Sequence, residues 1–246
     1  MKKLLYIASS AILVACSSSK EAIAIDNDDT TDYAEKFAKT ITAKDLGQHL
    51  FVYASDEFEG RDTGEPGQKK AVKYLKDFYI SKDIKSPIGG NDYFQEVPSS
   101  YLSNNRRGMK LKDSENVVAF IKGTEKPDEI VIISAHLDHE GVKNGEIYNG
   151  ADDDGSGTVA ILEIAEAFKK ASDAGKGPKH SVLFLHVTGE EKGLLGSKYY
   201  TENPIFPLAN TVTDLNIDMI GRVDERHKGT PNYVYLRSEE HTSELQ

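Results

Sequence analysis

The sequence predicts an α/β fold in which a mainly parallel central sheet carries helices on both faces. Three observations predict it. Residues 129–136 (EIVIISAH) and 181–188 (SVLFLHVT) are short, apolar and rich in β-branched residues, the pattern of strands buried on both sides. Between them, residues 158–171 (TVAILEIAEAFKKA) set Ile161, Ile164, Ala165 and Phe168 along one helical face. Beyond them, a helix start in KGLLGSKYYTEN and a third strand in TDLNIDMI continue the alternation.

The 246-residue chain opens MKKLLYIASSAILVACSSSK. Lys2 and Lys3 precede a largely apolar run, residues 4–15, which falls short of the about 20 residues a spanning helix needs. Residues 1–15 therefore read as an export signal. The run ends LVAC, which resembles a bacterial lipoprotein lipobox. Cys16, the only cysteine, is expected to carry lipid and to tie the chain to a membrane of the cell envelope, at its periplasmic or outer-membrane face. Residues 16–40 are polar and acidic and read as a flexible tether. A net charge of −10 and the lack of a basic stripe argue against a nucleic-acid partner.

The domain proper spans residues 41–236. Residues 67–83 place Ala71, Tyr74, Leu75 and Phe78 at helical spacing, between the Gly/Pro loops EGRDTGEPGQ and SPIGGND. Residues 93–97 read as a strand, 115–123 as another, and the alternating NYVYL, residues 232–236, as one more. Residues 237–246 (RSEEHTSELQ) match, codon by codon, the translation of a common sequencing adapter, and are expected to lie outside the fold.

Polar residues gather at the carboxyl ends of the predicted strands. His136 and Asp138 end the first; Asp152, Asp153 and Asp154 precede the crossover helix. Glu190 and Glu191 follow the second strand, and Asp218 lies near the end of the third. In an open parallel sheet those ends share one edge, where ligands bind. Several carboxylates in one pocket cannot all stay ionised without cations. One imidazole among carboxylates suits zinc or a similar transition metal, and a shared aspartate suits two ions about 3.5–4 Å apart. An EF-hand fails on spacing: with Gly155 at the sixth position, the first falls on Gly150 and the twelfth on Ile161. In the adjacent pair Glu190–Glu191, one carboxylate can grip a metal while the other serves as general base. Asp138 could accept the second imidazole N–H of His136 and fix its tautomer.

HLD (residues 136–138), GADDDGSG (150–157), GEEKGLLGS (189–197) and NIDMIGR (216–222) together resemble the M28 family of zinc-dependent exopeptidases. The resemblance implies a phosphorylase/hydrolase-like three-layer fold and two zinc ions. It implies that His136 and Asp218 hold one ion, Glu191 the other, and Asp153 bridges. Glu190 would be the general base, and Asp138 would orient His136. Asp152 and Asp154 match the motif but not its ligand position, leaving them to shape the loop and start the helix. The family places one further histidine ligand beyond residue 236. His241 falls in the adapter-like tail and is not taken for it, His227 reads as a solvated loop, and the chain as it stands is expected to be weakly active or inactive.

EGRDTG, residues 59–64, resembles a recurrent segment of the family and reads as loop and helix start rather than chemistry. His186, mid-strand, reads as a core or supporting histidine; His49, His139 and His180 read as surface. Arg222 reads as one half of a structural ion pair. The expected function is a dizinc metallopeptidase that removes N-terminal residues from peptides. A carboxypeptidase, a glutaminyl-cyclase-like enzyme and an inactive binding domain on the same fold are the rival readings.

Overall fold

The computed structural model describes residues 31–105, 108–230 and 232–237. The predicted signal, Cys16 and nearly all of the adapter-like tail, including His241, lie outside them. The chain begins with helices α1 (Tyr33–Ala38) and α2 (Ala43–Tyr53), each capped by a side chain, Asp32 and Thr42 respectively. The predicted tether, residues 16–40, thus ends in a helix. A tight kinked turn, Asp56–Arg61, leads to α3 (Pro66–Ser81), which opens on a proline where no intrahelical N–H is needed. β1 (Phe94–Val97), the single turn α4 (Ser99–Leu102), β2 (Ser114–Ile121) and β3 (Lys126–His136) follow. A small hairpin, β4 (Gly141–Lys143) and β5 (Glu146–Tyr148), precedes α5 (Gly157–Asp173). β6 (His180–Val187), α6 (Leu195–Glu202) and β7 (Thr211–Asn216) complete the order.

The main sheet runs β1-β2-β6-β3-β7. It is mixed: β3 pairs in parallel with β6 and β7, while β2 is antiparallel to β6 and to β1. The parallel part is the part that carries the site. Side-chain alternation sorts the strands onto two cores. Val117, Ala119, Ile133, Ala135, Val182 and Phe184 face a core with α3 and α5. Val118, Ile130, Ile132, Leu183, Leu185 and Val187 face a second one with Tyr200 of α6. Both faces are covered, which is why β3 and β6 read as continuous apolar runs; each fully buried Leu or Ile contributes about 1.5–3 kcal/mol.

The topology positions the site. The chain leaves β3 over one face through α5 to reach β6, then returns over the other face through α6 to reach β7 on the far side of β3. The connections therefore diverge at the carboxyl end of β3, which leaves a crevice there. The expected strand at residues 232–236 does not form: the described part of it pairs with no strand and leaves Val234 69% and Tyr235 64% exposed. Alternation gave it a strand-like pattern, but a strand needs a ladder partner. Among the described residues no helix is long and apolar enough to cross a membrane.

Candidate metal centre

β3 ends at His136, which is almost fully buried. Its Nδ1 lies 3.0 Å from the carbonyl of Asp138; a carbonyl can only accept, so Nδ1 carries a proton, and in the neutral ring Nε2 keeps its lone pair facing the crevice. Nε2 lies 3.0 Å from Asp153 Oδ1, and 4.0 Å from both Asp218 Oδ1 and Glu190 Oε2.

The Asp138 side chain has a different task from the one expected. Its carboxylate stands 3.9 Å from His136 Nδ1, and it is the backbone carbonyl that takes the imidazole proton. The buried carboxylate accepts the Thr63 hydroxyl at 2.7 Å and the backbone N–H of Glu190 at 3.0 Å. Asp138 thus ties the end of β3 to the glutamate pair after β6.

The three aspartates part company. Residues Ala151–Ser156 wind as a wide turn broken at Asp153 (φ −102°, ψ 101°), where the peptide to Asp154 is cis. Asp153 points into the crevice. Asp154 is buried and accepts N–H groups from His136 (3.2 Å), Gly157 (2.9 Å) and Met219 (3.3 Å), joining β3, α5 and the segment after β7. Asp152 accepts the N–H of Gly221 at 2.8 Å. Gly157 admits no side chain: a Cβ there would sit 2.4 Å from the Ile217 carbonyl oxygen and 2.5 Å from Asp154 Oδ1. This close approach of α5 to the end of β7 brings Asp218 to the cluster.

His139, expected at the surface, is half-buried, and its Nδ1 lies 2.8 Å from Glu191 Oε1. Among the described residues two donor groups result, each with ligand atoms within 4.8 Å of one another: His136, Asp153 and Asp218, and His139, Asp153 and Glu191. Asp153 belongs to both, and Glu190 to neither. His49, also expected at the surface, is half-buried against Tyr74 and Glu163, away from the crevice. His227 packs on Tyr233 and bonds Asp224, while His186 is fully buried and bonds the Tyr79 hydroxyl.

The electrostatics suit a cation. Burial pushes the Glu191 carboxyl up to about 7, with Asp153 and Asp138 adding to it. Burial likewise pushes Asp154 up to about 8, and holds Glu190, Asp218 and Asp138 above the usual carboxylate range. These groups are costly to ionise together unless positive charge joins them. Imidazole nitrogen and carboxylate oxygen are zinc's ordinary ligands. A cleft of ≈ 320 Å³ opens beside Asp153, walled by Leu50, Ala151 and Met219, with Arg222 at its edge.

A family model described as Peptidase family M28 matches residues 116–244, which carry both donor groups, Glu190 and Asp138. The chain belongs to peptidase family M28. Over 127 residues this M28 chain is 34% identical to aminopeptidase NAALADL1 of Rattus norvegicus, a match covering 50% of this chain and 16% of that protein. Over 109 residues it is 37% identical to a probable zinc metalloprotease of Pyricularia oryzae, covering 43% and 21%. The match therefore spans about a fifth or less of these relatives. Among solved structures, a Zn-dependent exopeptidase from Parabacteroides distasonis superimposes with a TM-score of 0.58 at 21% identity, covering 73% of this chain and 62% of that one. A glutaminyl cyclase from Bacteroides thetaiotaomicron gives 0.54 at 18% identity, covering 73% and 62%. These likenesses share the α/β fold described above.

Proposed function

We propose that this M28 chain is the catalytic part of a dizinc aminopeptidase. The observation that carries the reading is the sharing of Asp153 between two donor groups, with Glu190 outside both yet 4.0 Å from His136 Nε2. His136, Asp153 and Asp218 would hold one zinc; His139, Asp153 and Glu191 offer donors for the other. Bound zinc would supply a Lewis acid that polarises a scissile carbonyl and makes water a nucleophile at neutral pH.

The chain's own residues do the rest. Glu190, pushed above its ordinary value first by burial, is a stronger base than an exposed carboxylate. It takes the proton of the attacking water and returns it to the departing amine. Asp138 fixes the backbone from which Glu190 projects. The cleft beside Asp153 would take a substrate side chain.

The test is hydrolysis by the zinc-loaded full-length protein of a panel: amino-acid amides, free peptides, the same peptides N-acetylated, and N-terminal glutamine substrates. Release of N-terminal residues that is abolished by N-acetylation supports an aminopeptidase. Cleavage from the carboxyl end, or cyclisation of glutamine without hydrolysis, would replace the reading with another enzyme class. On the sequence alone, Cys16 is also proposed as a lipid anchor; labelling of the exported protein with a radioactive fatty acid should be lost in Cys16→Ala, and persistence of label there would refute it.

A further inference from the structure

Arg61 is among the largest fully buried side chains. Among the described residues no carboxylate forms an ion pair with its guanidinium. Nε donates to the Leu137 carbonyl at 3.1 Å, Nη1 to those of Tyr53 (3.0 Å) and Asn149 (2.7 Å), and Nη2 to that of Gly150 (2.8 Å). The fork lies over the Tyr53 ring at 4.6 Å, and the Tyr53 hydroxyl donates to the same Leu137 carbonyl at 3.0 Å. Leu137 separates His136 from Asp138. Asn149 and Gly150 open the turn that carries Asp153. One planar group therefore bridges the two backbone segments that bear the imidazole and the shared aspartate.

The local backbone is bent to deliver it. Glu59 (φ 51°), Gly60 (φ 64°) and Arg61 (φ 52°) are three left-handed residues in succession. For residues with a Cβ that conformation costs on the order of 1–3 kcal/mol each, and it persists where the surroundings enforce it. A Cβ on Gly60 would fall 2.3 Å from the Tyr148 carbonyl oxygen, so the run cannot relax outward. The next two residues reach the other parts of the site: Asp62 pairs with Lys192 at 2.6 Å beside the glutamate pair, and Thr63 donates to Asp138.

We propose that Arg61 is a positioning residue of the metal centre: its fork fixes the separation of the His136 and Asp153 segments before a cation arrives, and its charge offsets the gathered carboxylates. Burying a guanidinium on neutral carbonyls alone is expensive. A core filled by an apolar side chain would avoid that cost, but it would leave the carbonyls of Leu137, Asn149 and Gly150 without this common donor. Lysine does not replace it, because a point ammonium on a flexible stem cannot hold several carbonyls in one plane.

The inference rests on the metal-centre reading and is tested separately from it. The full chain, its Arg61→Lys and Arg61→Met variants, and a core control, Leu75→Ala, are titrated with zinc against a chromogenic chelator, and their melting temperatures are recorded. Leu75 is buried in the core on α3 and lines neither the cleft nor either donor group. We expect zinc affinity to fall at least tenfold in Arg61→Lys and further in Arg61→Met, while Leu75→Ala stays within twofold of the parent despite its lower melting temperature. Affinities of both Arg61 variants within twofold of the control would overturn the proposal. Should neither Arg61 variant fold, Tyr53→Phe decides: it removes one hydroxyl from the Leu137 carbonyl, threefold or weaker zinc binding supports the clamp, and unchanged affinity overturns it. A parent chain that binds no zinc would instead sink the metal-centre reading itself.

Discussion

Asp138 Oδ1 accepts the backbone N–H of Glu190 at 3.0 Å, across two strand ends that lie 52 residues apart in sequence. The bond sets where the glutamate pair projects, and the second oxygen is held by Thr63. Asp138→Asn keeps the shape but presents an amide that must satisfy two donors with one acceptor. Turnover should fall roughly 10–100-fold, as for other residues that orient a metal site. Asp138→Ala strands two buried donors, at about 1–3 kcal/mol each. Steady-state kinetics and thermal melts check the two variants, and parent-like turnover in Asp138→Asn would contradict the role.

Glu190→Gln removes the base and keeps the shape. Zinc content should be unchanged, and turnover should drop about 10²–10⁴-fold. Elemental analysis beside kinetics separates this outcome from loss of metal.

His139→Ala leaves Asp153 and Glu191 without the imidazole 2.8 Å from Glu191. Of two titratable zinc equivalents, one should weaken at least tenfold while the other is retained. Two unaltered equivalents would remove His139 from the donor set.

Gly157→Ala drives a methyl group against the Ile217 carbonyl and the Asp154 carboxylate. The strain should lower stability by more than about 2 kcal/mol and weaken zinc binding, because Asp218 is carried on the displaced segment. Chemical denaturation and zinc titration measure both, and a fully stable variant would show that the approach is looser than described.

His186 titrates in the core beneath the sheet, outside both donor groups. Burial alone pushes it down to about 3, beside the Tyr79 hydroxyl. Its folded value lies below the unfolded one of about 6.5, so the native state binds fewer protons in between. Its contribution is therefore intact above pH 6.5 and is lost as pH falls toward 3, by about 1.4 kcal/mol per unit. In denaturant melts from pH 7 to pH 4, the parent should lose stability more steeply than His186→Gln; equal slopes would contradict the buried neutral form.

The sequence made the strand ends legible because periodicity locates β3, β6 and β7, and a parallel sheet brings their carboxyl ends together. That is how His136, Asp153, Glu190, Glu191 and Asp218 could be grouped at all. Periodicity lapses where a strand stops, so it did not reveal that His139 turns inward to Glu191, or that the carbonyl of Asp138 rather than its carboxylate meets His136. Arg61 was illegible for another reason. Its partners at Leu137 and Gly150 are backbone carbonyls 76 and 89 positions away, and a carbonyl leaves no mark in an amino-acid sequence. The strand-like NYVYL misled because alternation describes a surface, whereas pairing requires a neighbour.

The sharing of Asp153 between two donor groups is the centre of the account, and zinc per chain tests it most directly. Elemental analysis of the zinc-loaded, dialysed chain should find two ions, falling to one or none in Asp153→Asn with the fold retained by circular dichroism. One ion in the parent, or two in Asp153→Asn, would contradict it.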